Sequence, residues 1–208
     1  MSADVKLSKT LSWILRHGAA DVNISLDSGG FASVNDLLSL RQFSRYTVAD
    51  IERVVASNDK QRFTLTRNGD GNLQIRANQG HSIANIEHLE LEPLTDPSQV
   101  PAAVHGTSWS AWLSIKSVGL SRMNRNHIHL ASGEPDDQSV ISGMRRNSEV
   151  LIYIDLQRAL TDGLKFYIST NGVILTPGNE NGLLEVKYFS HVYRLSNKNR
   201  CLVFPEGE

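Results

Sequence analysis

The residues of this chain with most to offer chemically are basic. Arg16 and His17 stand side by side at the end of an apolar-periodic run, Arg76 follows Ile75 in a β-like segment, and Arg145 and Arg146 precede the string VLIYIDL. A guanidinium stays charged at physiological pH and holds a phosphate through two parallel N–H donors. An imidazole exchanges a proton near neutrality. Anion binding with proton transfer is therefore what these residue types supply. Singly, each has an ordinary explanation. Arg16 complements a helix C-terminus, His17 is a capping or packed imidazole, Arg76 is a solvated strand position, and Arg145-Arg146 is a polar loop.

A second group lies further on. In His105-Gly106-Thr107 a glycine that permits close backbone approach is flanked by two polar side chains. His127 and His129 are two apart in a β-like run and share one side of it, as a metal pair or a polar stripe would. No third ligand of matching spacing accompanies them, so metal is the weaker reading.

The formal net charge is −1. Residues 1–80 carry 10 Lys and Arg against 8 Asp and Glu, a balance of +2, which leaves −3 for residues 81–208. Phosphate recognition must then come from a local arginine cluster, suited to a small anionic target rather than to long stretches of backbone.

Several elements must position these residues. Leu7, Leu11, Ile14 and Leu15 recur at helical spacing; Ser33-x-x-Asp36 and Thr47-x-x-Asp50 each precede apolar runs, as helix N-termini do. RFTLTRNGDGNLQIRAN alternates on both sides of an Asn68-Gly69-Asp70-Gly71 turn and predicts a hairpin. Three helices and a hairpin give a winged-helix-like lobe over residues 1–90. Pro93, Pro97 and Pro101 punctuate a polar stretch that reads as a linker, 91–103. Residues 104–208 offer the β-like runs AVHGT, HIHLA, VLIYIDL, NGVILT and Tyr188 to Leu195, with helices around Trp109–Ile115 and Leu156–Leu160. The fold class expected is α+β.

The single cysteine, Cys201, excludes an internal disulfide, and structural zinc is not expected. No apolar run approaches the ~20 residues that span a bilayer, and residues 1–9 lack a signal-peptide core. An intracellular protein, cytoplasmic or nuclear, is the expectation. No motif speaks to oligomeric state.

LSKTLSWILRH, IRANQGHS, HGTSWSAWLSIKSVGL, RNHIHL, SGMRR and NGVILTPG run in this order over nearly the whole chain. Together they closely resemble the tRNA 2′-phosphotransferase family. The resemblance implies an N-terminal winged-helix RNA lobe and a C-terminal NAD lobe of the ADP-ribosyltransferase type, with the active site in the cleft between them. It implies a catalytic group of Arg16, His17, Arg76 and Arg145, with Arg146 the ambiguous neighbour. His105, Gly106, Thr107, His129, Asn171, Gly172 and Val173 are implied as nucleotide-binding. Val173 stands where many protein-modifying relatives have a catalytic glutamate.

The implied partners are NAD, consumed as co-substrate, and an RNA with an internal 2′-phosphate, such as that of a spliced tRNA junction. The implied reaction passes through an ADP-ribosylated RNA phosphate and ends in RNA 2′-OH, nicotinamide and ADP-ribose 1″,2″-cyclic phosphate. Two other readings remain open from sequence: a one-step ADP-ribosyltransferase acting on nucleic-acid terminal phosphates or protein, and a non-enzymatic winged-helix nucleic-acid binder.

Overall fold

The structure, a computed structural model, describes residues 2–83, 86, 89–134, 142–144, 147–196 and 199–205. The chain divides into two compact units, Met1–Glu90 and Leu91–Glu208. Among the described residues no helix is long and apolar enough to cross a membrane.

The first unit opens with α1 (Ala3–Trp13), whose N-cap Ser2 accepts from the Val5 N–H. A single π-helical turn, Ile14–Gly18, continues it. A two-residue strand, β1 (Ala32–Ser33), leads into α2 (Val34–Ser39), where the Ser33 hydroxyl accepts from the Asp36 N–H. A reciprocal capping box between Thr47 and Asp50 starts α3 (Val48–Ala56). β2 (Phe63–Arg67) and β3 (Leu73–Ala77) form the expected hairpin, registered from Phe63↔Ala77 to Arg67↔Leu73. The Asn68 side-chain oxygen holds its turn by accepting from the Asp70 and Asn72 N–H groups.

Sheet order in this unit is β1-β3-β2, so β3 is central. Leu7, Leu11, Ile14, Leu15, Leu37, Phe43, Ile51 and Ile75 are fully buried around it. At about 1.5–3 kcal/mol for each such side chain, this cluster is the main stabilising term of the unit. Arg76 is only 2% exposed although its neighbour Ile75 is also buried, so both faces of β3 are covered. The solvated strand position open to Arg76 from sequence is thereby excluded.

The second unit contains β4 (Leu91–Leu94), β5 (Val104–Thr107), α4 (Trp109–Val118), β6 (Leu120–Ser121), β7 (Ile128–Ala131), β8 (Val150–Ile154), α5 (Leu156–Thr161), β9 (Phe166–Ser169), β10 (Val173–Thr176), β11 (Leu183–Leu184), β12 (Phe189–Ser196) and β13 (Asn199–Phe204). Eight strands make one antiparallel sheet, ordered β13-β12-β8-β5-β7-β10-β9-β4; β6 and β11 pair separately. Trp112, Leu130, Ile152, Ile174 and Val192 belong to the main core of this unit. Val104, Leu151 and Tyr153 form a smaller second cluster, against which Met144, Tyr193 and Leu195 pack. With helices and antiparallel sheets in both units, the mixed α+β class expected from sequence is what the chain adopts.

The stretch read as a linker, 91–103, is not a bare connector. Leu91–Leu94 pairs with β9, and Pro97–Gln99 forms a 3-10 turn closed by an Asp96–Gln99 capping box. Pro93 is accommodated because β4 is the sheet's edge, where a residue without an N–H need not bond outward.

Candidate active site

Arg16 and His17 lie on the π turn. Such a turn holds one residue more than an α turn and is poorer in hydrogen-bond geometry, which is why it occurs mostly as single turns, often at functional sites. Gly18 is needed there, because a Cβ at that position would collide with the Trp13 indole. The Ser82 N–H donates to the Arg16 carbonyl at 2.9 Å, and the Ser82 hydroxyl oxygen lies 2.9 Å from His17 Nδ1. Ser82 thus fixes the imidazole orientation and leaves Nε2 as the nitrogen directed away from it. Gly80, at φ +90°, lets the chain pass close to the Arg16 side chain: a Cβ there would stand 3.4 Å from Arg16 Nε.

Arg76 heads the same segment. Its guanidinium lies over the Phe31 ring, 4.6 Å from the centroid, and its Nη2 donates to Glu90 Oε2 at 2.6 Å. Phe31 is set by a turn in which its N–H donates to the Asp27 carboxylate. Arg76 Nε is buried with no hydrogen-bond partner among the described residues. A desolvated guanidinium retaining an unsatisfied donor is a strong place for an anion to bind. Asn78, Gln79 and His81, between Arg76 and Ser82, are themselves buried.

Along Arg76–Ser82, then, Arg76 stands at the start, Arg16 lies beside Gly80 and His17 is held on Ser82. Arg145 and Arg146 lie outside the described residues. Phe31, Ser82 and Glu90 were not singled out from sequence. Ser82 ends the IRANQGHS string and had that one signal; Phe31 and Glu90 had none, since only the fold carries them to Arg76.

In the second unit His105, Gly106 and Thr107 form β5, between β8 and β7. His105 Nδ1 is 2.9 Å from the His129 carbonyl oxygen. A carbonyl only accepts, so Nδ1 carries the hydrogen of this contact. A Cβ on Gly106 would collide with Met144 and Ser148, so no other residue fits without displacing them.

Asn171, Gly172 and Val173 belong to the β9–β10 hairpin. Gly172, at φ +73°, donates its N–H to the Ser169 carbonyl at 2.8 Å, and the Ser169 hydroxyl accepts from the Val173 N–H at 3.1 Å. Asn171 is 2% exposed, with its amide oxygen 2.8 Å from that hydroxyl. The register Val173↔Ala131 and Leu175↔His129 sets this hairpin directly beside β7. β5, β7 and β10 are neighbours and so bring His105, His129 and the Asn171–Val173 turn into one part of the sheet, where Val173 is fully buried and apolar. His127 packs edge-on to Tyr167, and burial, then the nearby Arg122 charge, lowers its pKa, which favours the neutral ring.

Comparison with known proteins adds a family. The family model described as RNA 2′-phosphotransferase, Tpt1 / KptA family, matches residues 2–178. A tRNA 2′-phosphotransferase 1 of Danio rerio is 52% identical over 197 residues, covering 93% of this chain and 87% of the relative. The protein of that name in Homo sapiens is 49% identical over 195 residues, covering 92% and 76%. A tRNA 2′-phosphotransferase of Saccharomyces cerevisiae is 42% identical over 180 residues, covering 83% and 78%.

Proposed function

Because the chain belongs to the RNA 2′-phosphotransferase, Tpt1 / KptA family, we propose that it removes an internal RNA 2′-phosphate, as at a tRNA splice junction, by passing it to the ADP-ribose part of NAD. The observation that carries this reading is the buried guanidinium of Arg76 with its unsatisfied Nε, on the same short segment that holds Arg16 and His17. Such a group binds a compact dianion better than a neutral ligand.

In the first step the 2′-phosphate oxygen bonds to C1″ of the nicotinamide-bearing ribose and nicotinamide leaves, through a sugar cation-like transition state. An anionic phosphate needs no base to attack, which agrees with a buried Val173 in place of an acid. In the second step the 2″-hydroxyl attacks phosphorus, its proton is taken up, and the RNA 2′-oxygen leaves to become a hydroxyl. Charge builds on the phosphate oxygens here, where Arg16, Arg76 and Arg145 are assigned to hold it. Preorganised donors of this kind each contribute roughly 10²–10³ in rate. His17, oriented by Ser82, is assigned to the proton of the 2″-hydroxyl.

NAD would be held by the second unit, which reads as an ADP-ribosyltransferase-like lobe. Its polar groups fit a dinucleotide: the His105 imidazole, the Thr107 hydroxyl, and the polar Asn171–Gly172 turn beside His129. The first unit, with three helices and a hairpin, reads as a winged-helix-like RNA lobe.

The test is a short RNA with one internal 2′-phosphate, incubated with and without NAD, followed by mass analysis of RNA and small molecules. NAD-dependent loss of the phosphate with formation of ADP-ribose 1″,2″-cyclic phosphate and nicotinamide is expected. An RNA that keeps its phosphate and gains ADP-ribose would replace this reading with a one-step transferase; RNA bound but unchanged would leave only a binding protein.

A further inference from the structure

The π turn stands at one end of a cavity of ≈570 Å³ lined by α1 on one side and by the end of α3 and the loop to β2 on the other. Ser8, Lys9, Ser12 and Arg16 line it from the first wall, at the i, i+3, i+4 spacing of one helix face. Asn58 and Arg62 line it from the second, with Val54 supplying apolar surface.

Three features of this cavity point to a polynucleotide. Trp13 lines it and is 45% exposed, an unusual position for the largest apolar side chain, yet its ring is backed by Gly18 and so presents a firm face. Arg62 is anchored, its Nη1 and its backbone N–H both donating to the Asn58 amide oxygen at 3.2 and 3.1 Å, which leaves other guanidinium donors for a ligand. Two carboxylates, Asp4 and Asp59, also line it, and Asp4 is engaged by Arg53 through two hydrogen bonds, so its charge is already offset. An exposed indole beside cationic groups is the arrangement that binds single-stranded nucleic acid by stacking and phosphate contact.

We propose that this cavity holds an unpaired nucleotide flanking the 2′-phosphorylated one, its base stacked on Trp13 and its backbone phosphate met by Arg62 and Lys9. The inference rests on the RNA reading of the Arg16–His17 site and extends it. The substrate is then recognised by its single-stranded character on one side of the modification. Unlike the phosphate clamp, this surface requires neither the 2′-phosphate nor NAD.

The experiment is fluorescence anisotropy of a labelled RNA hexamer with one internal 2′-phosphate, without NAD, titrated with wild-type protein and with Trp13→Ala, Trp13→Phe and Arg62→Ala. Trp13→Ala and Arg62→Ala are expected to weaken binding by about tenfold, and Trp13→Phe to restore most of it, because a phenyl ring still stacks. Arg62→Ala should also lower the slope of log K against log salt by about 0.7, the value for one lost contact to a single strand. Thermal melting of each variant separates loss of binding from loss of fold, and Arg62→Ala leaves the indole in place. Wild-type affinity in both alanine variants, no binding by the wild type, or equal competition by a blunt RNA duplex would each overturn the proposal. If the hexamer binds as described but NAD brings about no loss of phosphate, the cavity assignment stands and the proposed reaction falls.

Discussion

Arg76 and Glu90 meet at 2.6 Å with opposite surroundings: the arginine side chain is 3% exposed and the glutamate side chain 72%. The cation has been taken out of water, while its acid partner remains largely hydrated. A carboxylate so placed can give way to a phosphate without a second charge being uncovered or buried.

The two sides of this pair should consequently respond differently to substitution. Arg76→Lys removes the planar fork and is expected to lower NAD-dependent turnover of a 2′-phosphorylated RNA by roughly 100-fold. Glu90→Gln, at a solvent-screened position, should change it by no more than about threefold. Steady-state rates on one RNA decide; equal losses in the two variants would make the ion pair itself the functional unit.

His17 and Ser82 predict a split between the two chemical steps. His17→Asn and His17→Ala both remove the exchangeable proton and should let an ADP-ribosylated RNA accumulate, while Ser82→Ala, which removes the hydroxyl contact to the ring, should slow the second step by about tenfold. Quenched-flow sampling with gel separation of the RNA species measures this. An unchanged second step in both His17 variants removes that residue from the chemistry.

The filled space above Gly106 predicts a packing penalty that can be relieved. Gly106→Ala should cost about 1–3 kcal/mol in urea unfolding because its methyl meets Met144 and Ser148. Adding Met144→Ala should recover part of it, as expected for two residues in direct contact. Additive losses would show that the side chain of Met144 is not what limits the site.

The α3 capping box carries a pH signature. Hydrogen bonding from the Thr47 backbone N–H, then from Arg53 and the Thr47 hydroxyl, lowers the Asp50 pKa from 3.8 to about 2. Its folded-state value lies below the ordinary one, so its stabilising effect is complete above about pH 4 and is lost as pH falls towards 2. The difference in Tm between wild type and Asp50→Asn should therefore be widest above pH 4 and shrink below it. A gap independent of pH would mean that Asp50 acts through packing alone.

Local chemistry was legible in the sequence. The Ser33 cap, the Thr47–Asp50 box and the Asn68–Gly71 turn each announced an element through residues three or four apart, and each formed. What depended on distant pairing was not. β4 hid behind Pro93 because an edge strand tolerates a missing donor, and β13 hid because four of its six residues are exposed and show no alternation. At the candidate site, Arg16, His17 and Arg76 stood out by type, but the burial of Arg76 did not. Alternation along β3 implied a covered and an open face, whereas the Phe31 ring covers Arg76 and the Asn78–His81 stretch is buried with it. Ser82 is 65 residues from His17, beyond any spacing rule.

The π turn at Ile14–Gly18 sets the angular phase of the residues that end the helix. One extra residue in a turn amounts to an offset of about 100° from an uninterrupted α-helix. Removing any single residue from the turn would give α1 a better-bonded continuation and at the same time rotate its reactive end away from Ser82. A shortened variant of this kind would be more regular as a helix yet misaimed as a tool.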